Sequence, residues 1–264
     1  MGGIGIINER HIGILQEFVG LEVVGLILAG GSGKRLLPFT NFTHKTLLPI
    51  YDSPVIDYAI ATMRRAGIKD ITIVANKHIV QISEHIGEGK KGEKFRYVLE
   101  ERPSGVRDAL DLARSWVEGK RVLLYFSDNV TRWNFFDDVN LFRESNAPPG
   151  AIILVREVDK PEQFGVCIMD ERGNITDVIE KPKQDHGNLA IGGIYLFDET
   201  FYGRLDNLEG EGPVSISDVT RQYIVDGIVQ MRNIGSTTWV DCGTPRNLLH
   251  ASELARDGKI SSKI

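Results

Sequence analysis

Cysteine is scarce: two in 264 residues. Cys167 lies in GVCIM and Cys242 in DCGTP, without CxxC spacing or the density of a secreted disulfide scaffold, which fits a reducing cytoplasm. Long apolar runs are missing as well. None approaches the roughly 20 residues of a membrane span, so no membrane partner is expected. An excess of positive charge is also absent: 31 Lys and Arg against 36 Asp and Glu leave a net −5. No global positive field draws the chain to nucleic acid or to an anionic surface, so any cation that matters acts locally. The six histidines (11, 44, 78, 85, 186, 250) show no metal-ligand spacing. There is no internal repeat or low-complexity tract. The opening MGGIGIINERHIGILQEFVG is apolar but broken by Glu9 and Arg10. It has no basic leader or cleavage site, and Ile6 stands where a myristoylation signal needs Ser or Thr. Residues 1–20 are expected to be an amphipathic or poorly ordered extension.

What is present is enough apolar residue, 42%, for one folding unit over 21–264. Strand-like runs alternate with helical patterns through the first half. VVGLILA (23–29), ITIVAN (71–76), FRYVLE (95–100) and RVLLYFSD (121–128) read as strands; VIDYAIATMRRA, HIVQISEHI, VRDALDLARSWV and NFFDDVNLF read as helices. That alternation predicts an α/β fold, a wound sheet with helices on both faces. Ser53-Pro54 is expected as N-cap and first helical residue, with Gly67 as the stop. After AIILVREV (151–158) the pattern changes. FGVCIM (164–169) and ITDVIEK (175–181) read as a hairpin, followed by AIGGIYLF (190–197), so antiparallel pieces are expected in the second half. A capped helix over Ser217–Asp226, stopped by Gly227, and another opened by Thr244-Pro245 complete the expected elements.

Chemistry gathers first in LAGGSGKRLLPFTNFTHKTLLP (28–49). Glycines after a strand let backbone N–H groups approach anionic oxygens closely, although an ordinary strand-to-helix turn reads the same way. Two phosphate-loop templates fail: Arg35 takes the Ser/Thr place after the GK of GxxxxGK[ST], and Leu36 the last glycine of GxGxxG. Lys34, Arg35 and Lys45 nevertheless put three cations beside the loop, suited to a triphosphate. Asp128 and Asp241 each follow a strand. Each fits a turn cap as well as a ligand.

The stretch LAGGSGKRLLPFTNFTHKTLLPIYDSPVIDY resembles the signature of the sugar-1-phosphate nucleotidylyltransferases, most closely the glucose-1-phosphate thymidylyltransferases. FSDNV (126–130), PEQFGV (161–166), IEKP (179–182), GGIY (192–195) and WVDCGT (239–244) resemble further motifs of that family in the same order, over about residues 23–255. The resemblance implies a three-layer α/β/α Rossmann-like fold, with a mostly parallel sheet and antiparallel additions. A half near 21–130 would bind the nucleoside triphosphate and a half near 131–255 the sugar 1-phosphate. It implies Leu28, Ala29, Gly30, Gly31, Gly33, Glu100, Gly105 and Asp128 as nucleotide contacts, and Gly165, Glu180, Lys181, Ile191 and Tyr195 as sugar-phosphate contacts. Arg35, Lys45 and Lys181 become the catalytic cations, and Asp128 and Asp241 the Mg²⁺ carboxylates. A phosphate nucleophile is already anionic at pH 7 and needs no general base, in keeping with the absence of a Ser/His/Asp set.

The sequence departs from the thymidylyltransferase pattern in its base pocket. Thr46 replaces a glutamine, Glu100 stands at the place of a base-reading glutamine, and Arg107 and Asp108 occupy a stretch usually small or amide-bearing. A carboxylate only accepts hydrogen bonds, so Glu100 suits guanine's N1–H and N2–H₂ better than the carbonyls of thymine or uracil. The EERPSG spacing also resembles mannose-1-phosphate guanylyltransferases. Ser215 stands where the family usually has a glutamate, which puts plain glucose as the sugar in question. The expected reaction joins dTTP and glucose 1-phosphate, with guanylyl or uridylyl transfer to another sugar or cyclitol phosphate as the alternative. A non-catalytic nucleotide-sugar-binding subunit is the alternative of another class. A dimer or tetramer is an open expectation, because the helical tail that carries tetramer and regulatory contacts in longer relatives is not seen after NLLHASELA.

Overall fold

A computed structural model of the chain describes residues 21–145, 147–208 and 214–263. The extension expected over residues 1–20 lies outside them. β1 (Val23–Ala29) shows why the chain folds as it does. Val24, Leu26 and Leu28 enter one core and Val23, Ile27 and Ala29 the other. Side chains alternate along a strand, so a run that is apolar at every position can be buried only between two covered faces.

After β1 come the two-residue strands β2 (Pro49–Ile50) and β3 (Ser53–Pro54), which pair with each other. Helix α1 (Val55–Arg65) follows, starting one residue later than expected: Pro54 is extended and paired with Pro49. Gly67, at φ 72, stops the helix as expected, since glycine takes the left-handed conformation without a Cβ penalty. Next come β4 (Asp70–Ala75), α2 (Ile79–Ile86), β5 (Lys94–Leu99), α3 (Val106–Val117), β6 (Arg121–Phe126), β7 (Asn129–Thr131), α4 (Phe136–Glu144) and β8 (Ala151–Glu157). The expected hairpin is β9 (Gly165–Met169) with β10 (Ile175–Glu180), paired antiparallel, and β11 (Leu189–Phe197) follows. The remainder is α5 (Phe201–Asp206), α6 (Ile216–Val225), β12 (Val229–Asn233), β13 (Trp239–Asp241) and α7 (Pro245–Arg256).

The main sheet runs β10-β9-β11-β6-β1-β4-β5, with β8 beside β11 and β12 beside β8. Around β1 the pairings are parallel; β11 enters antiparallel to both β6 and β8. The fold is therefore the expected mostly parallel α/β sheet with antiparallel additions. Helices α3, α5 and α6 close one face and α1, α2 and α4 the other. A separate cluster of Ile50, Val55, Tyr58, Val130, Val240, Cys242, Ala251 and Ile260 ties β7 and β13 to α1 and α7.

One irregularity places the site. β11 pairs with β9 at Ala190 and with β6 from Ile194 onward, and its register with β8 shifts between Ile191 and Tyr195. Gly192 and Gly193 occupy the shift. A Cβ on Gly193 would lie 2.5 Å from Asn129 Nδ2, so the strand passes the β6–β7 turn only because that residue is glycine. The sheet is split there, between β6 and β9, and crevices at such points are where wound sheets take ligands.

Candidate active site

The glycine loop leaves β1 into three single turns of 3₁₀ helix, Lys34–Leu36, Phe39–Asn41 and Lys45–Leu47. Gly33 sits at φ 64, where a Cβ would come within 2.7 Å of Thr40 Cγ2, and the Thr40 hydroxyl donates to the Gly33 carbonyl at 2.9 Å. The loop is thus braced on its own second turn. A Cβ on Gly31 would lie 2.8 Å from Lys45 Nζ, so the lysine lies along the bare backbone. Leu28, Gly30, Gly31, Ser32, Lys34, Lys45 and Glu100 border a cavity of about 520 Å³ closed by Pro103, Gly105, Val106, Ala109 and Phe126.

Most nucleotide contacts expected from sequence therefore share one cavity. Ala29 does not: its side chain is buried in the opposite core, so only its backbone is available. Thr46 lies outside it too. Wholly buried, it bonds to His44 Nδ1 through its hydroxyl at 2.7 Å and its N–H at 3.3 Å. Its placement in the base pocket is corrected: the substitution serves the turn. Arg107 reaches the Leu205 carbonyl at 3.2 Å, and Asp108 accepts from Ser104 and borders an outer cleft with Glu101, Arg102 and Asp111. Phe126, Val106 and Ala109 were not singled out in the sequence, where they read only as core.

Asp128 follows β6, and its Oδ2 accepts from Lys45 Nζ in a half-buried ion pair. Burial pushes its carboxyl up, but the Lys45 ammonium outweighs that and holds it below the usual carboxylate range. Antiparallel pairing of β7 with β13 sets Asp241 opposite Asn129, so two carboxylates 113 positions apart become neighbours. Asp241 is pushed up, first by burial and then by the Asp128 charge. Its Oδ1 accepts from Gly243 N–H at 2.8 Å, and its Oδ2 has no partner among the described residues. The Arg35 guanidinium crosses the face of Gly243 beside it, 2.5 Å from where a Cβ would stand. Of the three loop cations, then, Lys34 and Lys45 face the cavity and Arg35 faces the carboxylates.

A like-charged, half-buried pair with a free oxygen fits a divalent cation that takes its other ligands from water and phosphate. Among the described residues no group of three or more His, Cys, Asp or Glu side chains is placed to hold a metal by itself. Asn129, quoted within the FSDNV motif but given no role, holds Asp128. Its Nδ2 donates to Asp128 Oδ1 at 3.2 Å and to the Phe126 carbonyl, and its Oδ1 accepts from Trp239 Nε1 at 2.8 Å.

Across the crevice, Glu180 ends β10 and Lys181 follows at φ 45, a left-handed conformation uncommon outside glycine. Its N–H donates to the Phe164 carbonyl at 2.9 Å, and its ammonium lies 3.0 Å from Glu180 Oε1 with the side chain 64% exposed. Glu180 Oε2 accepts from the Ser217 hydroxyl at 2.7 Å. A Cβ on Gly165 would stand 2.9 Å from that hydroxyl and 3.4 Å from the carboxylate, so glycine makes the pair possible. Tyr195 is almost wholly buried; burial, then the Glu180 charge, raise its phenol. Its ring meets Phe126 edge-on at 6.3 Å, linking the Glu180 side to the glycine-loop cavity. Ile191 is buried in the core beside it. Ser217 was expected only as the start of a helix; that start is corrected to Ile216, because Ser215 is the cap, in a capping box with Asp218, which leaves the Ser217 hydroxyl for Glu180.

Glycines and cations facing a carboxylate pair at the split of a wound sheet define an α/β protein that handles phosphate esters. The chain belongs to the nucleotidyl transferase family, whose pattern matches residues 24–258. It is 33% identical over 233 residues to the glucose-1-phosphate thymidylyltransferase of Xanthomonas campestris, covering 86% of this chain and 79% of that one. It is 32% identical over 243 residues to the low-salt glycan biosynthesis nucleotidyltransferase Agl11 of Haloferax volcanii, covering 90% and 68%. A Bacillus anthracis protein assigned as a glucose-1-phosphate thymidylyltransferase, crystallised with sucrose, superposes with a TM-score of 0.82 at 33% identity, over 89% of this chain and 96% of that one.

Proposed function

We propose that the protein condenses a nucleoside triphosphate with a sugar 1-phosphate, releasing pyrophosphate. The observation that carries this reading is the meeting of two anion-handling walls: the cavity with Lys34 and Lys45, the latter paired to Asp128, and the Glu180–Lys181 rim, joined through Tyr195 and Phe126. A phosphate oxygen of the sugar ester forms a bond to the α-phosphorus, the bond from that phosphorus to the bridging oxygen breaks, and pyrophosphate leaves with the electron pair. No proton has to be removed, and the main obstacle is repulsion between two anions.

The chain's residues divide that task. Backbone N–H groups of Gly30 to Gly33, with Lys34 and Arg35, hold the departing phosphates. Lys45 stabilises the α-phosphoryl group. Lys181, turned out by its left-handed backbone, delivers the sugar phosphate, while Glu180, fixed by Ser217, accepts from sugar hydroxyls. Asp128 and Asp241 would hold Mg²⁺, which when bound supplies positive charge at the phosphate oxygens. The nucleotide half is near 21–130 and the sugar half near 131–255, in a cytoplasmic enzyme. Among the described residues no helix is long and apolar enough to cross a membrane.

Likeness to the relatives makes dTTP with glucose 1-phosphate the first pair to assay, and guanylyl or uridylyl transfer to another sugar or cyclitol phosphate the second reading. The test is pyrophosphate release over a matrix of five nucleoside triphosphates and several sugar 1-phosphates, with and without EDTA. Turnover for one pair, lost on chelation, is expected. No turnover for any pair, with tight nucleotide-sugar binding, would replace the enzyme with a binding subunit.

A further inference from the structure

Glu100 is a charged side chain with no protein partner among the described residues. Following β5, with its N–H on the Ala75 carbonyl at 2.8 Å, it is only 3% exposed. Among the described residues its carboxylate accepts no hydrogen bond and has no Lys, Arg or His within ion-pair distance. It lies over Gly30, where any Cβ would collide with it. Lys34 and Lys45 border the same cavity without pairing to it, and the other charged group felt there, Asp108, repels it. The carboxylate borders both the outer cleft and a cavity walled by Leu28, Val106, Ala109 and Phe126, so in the free protein its donors are water. A ligand that fills the cavity displaces that water and has to supply donors in its place.

The bases differ in what they offer two carboxylate oxygens. Thymine and uracil present one N3–H between two carbonyls, so the second oxygen would face a carbonyl. Adenine and cytosine set their amino group beside an acceptor nitrogen. Guanine alone presents N1–H and N2–H side by side, matching both oxygens in a bidentate, charge-assisted pair. We infer that Glu100 reads guanine, making GTP the nucleotide co-substrate. This rests on the nucleotidylyl-transfer reading and narrows it.

Calorimetric binding of GTP, ITP, dTTP, UTP, CTP and ATP to the full chain, without sugar phosphate, tests the inference independently of turnover. GTP is expected to bind about 100-fold more tightly than dTTP or UTP, and ITP, which lacks the N2 amino group, about tenfold more weakly than GTP. Glu100→Gln exchanges one acceptor for a donor, so it should erase most of the GTP preference and favour dTTP and UTP, with no loss of melting temperature because no partner is stranded. Binding of dTTP or UTP as tight as GTP, or a GTP preference unchanged in the Gln variant, would overturn the inference while leaving the reaction class standing. A dTTP preference that fades as pH rises, as a protonated Glu100 donating to a carbonyl would produce, would overturn it too. Failure of every nucleotide to bind would sink both readings.

Discussion

The two walls of the crevice are built to opposite standards. On the nucleotide wall, Lys45 and Asp128 are half-buried and paired, Thr40 braces the loop, and Thr46 with His44 locks the turn beneath it. On the sugar wall, Lys181 stands 64% exposed on a strained residue at the end of the β9–β10 hairpin, fastened through Glu180 to Ser217. A buried ion pair is preorganised, so its loss strands the partner charge; an exposed lysine gives up little in the free protein and acts only when an anion arrives. Defects on the first wall should therefore damage turnover or stability, and defects on the second mainly the affinity for sugar phosphate.

Asp128→Asn breaks that comparison hardest. It removes one carboxylate of the pair and leaves Lys45 uncompensated, and pyrophosphate release should fall roughly a thousandfold or more with the fold intact by circular dichroism. Near-normal release would remove Asp128 from the site. His44 tests the same wall through stability. Burial first, then the Lys45 charge, lower its pKa to about 4, so the folded state refuses a proton that the unfolded chain takes up below about 6.5. Stability is thus lost as pH falls from about 6.5 to 4, by up to about 3 kcal/mol. Urea midpoints at pH 7 and pH 4.5 should converge in His44→Gln relative to the parent, and an unchanged gap would refute the assignment.

On the other wall, Lys181→Ala should raise KM for the sugar phosphate about ten- to a hundredfold while nucleotide binding by calorimetry stays within about twofold. Equal damage to nucleotide binding would mean that the walls do not act separately. Smallest of all, Ser217→Ala frees Glu180 from one hydrogen bond of about 1 kcal/mol, so KM for the sugar phosphate should rise severalfold and kcat change little.

Much of this is legible in the sequence alone. VVGLILA announces a strand covered on both sides, the glycines and cations after it announce an anion loop, and the order of motifs from FSDNV to WVDCGT carried the family. Less legible were short or polar elements. β12 is a half-exposed edge strand, α5 is six residues long, and β7 spans three, so none has enough periodicity to stand out. Ser217 and Asn129 were missed as site residues because their roles are contacts across 37 and 110 positions, to Glu180 and Trp239. Thr46 misled for the converse reason: its place in the motif suggested the base, whereas a partner two residues away had claimed it.

The sequence by itself determined the local chemistry: which strand is sandwiched, where glycine leaves the backbone bare, which side chains carry charge, and that Glu100 can only accept unless it is protonated. Tertiary structure alone decided which charges meet. Lys45 finds Asp128, Arg35 turns to Gly243 beside Asp241, and Glu100 is left buried without a partner over Gly30. Propensity and pattern act over a few residues, whereas pairing and desolvation depend on distances set only when β11 changes neighbours and β13 docks on β7.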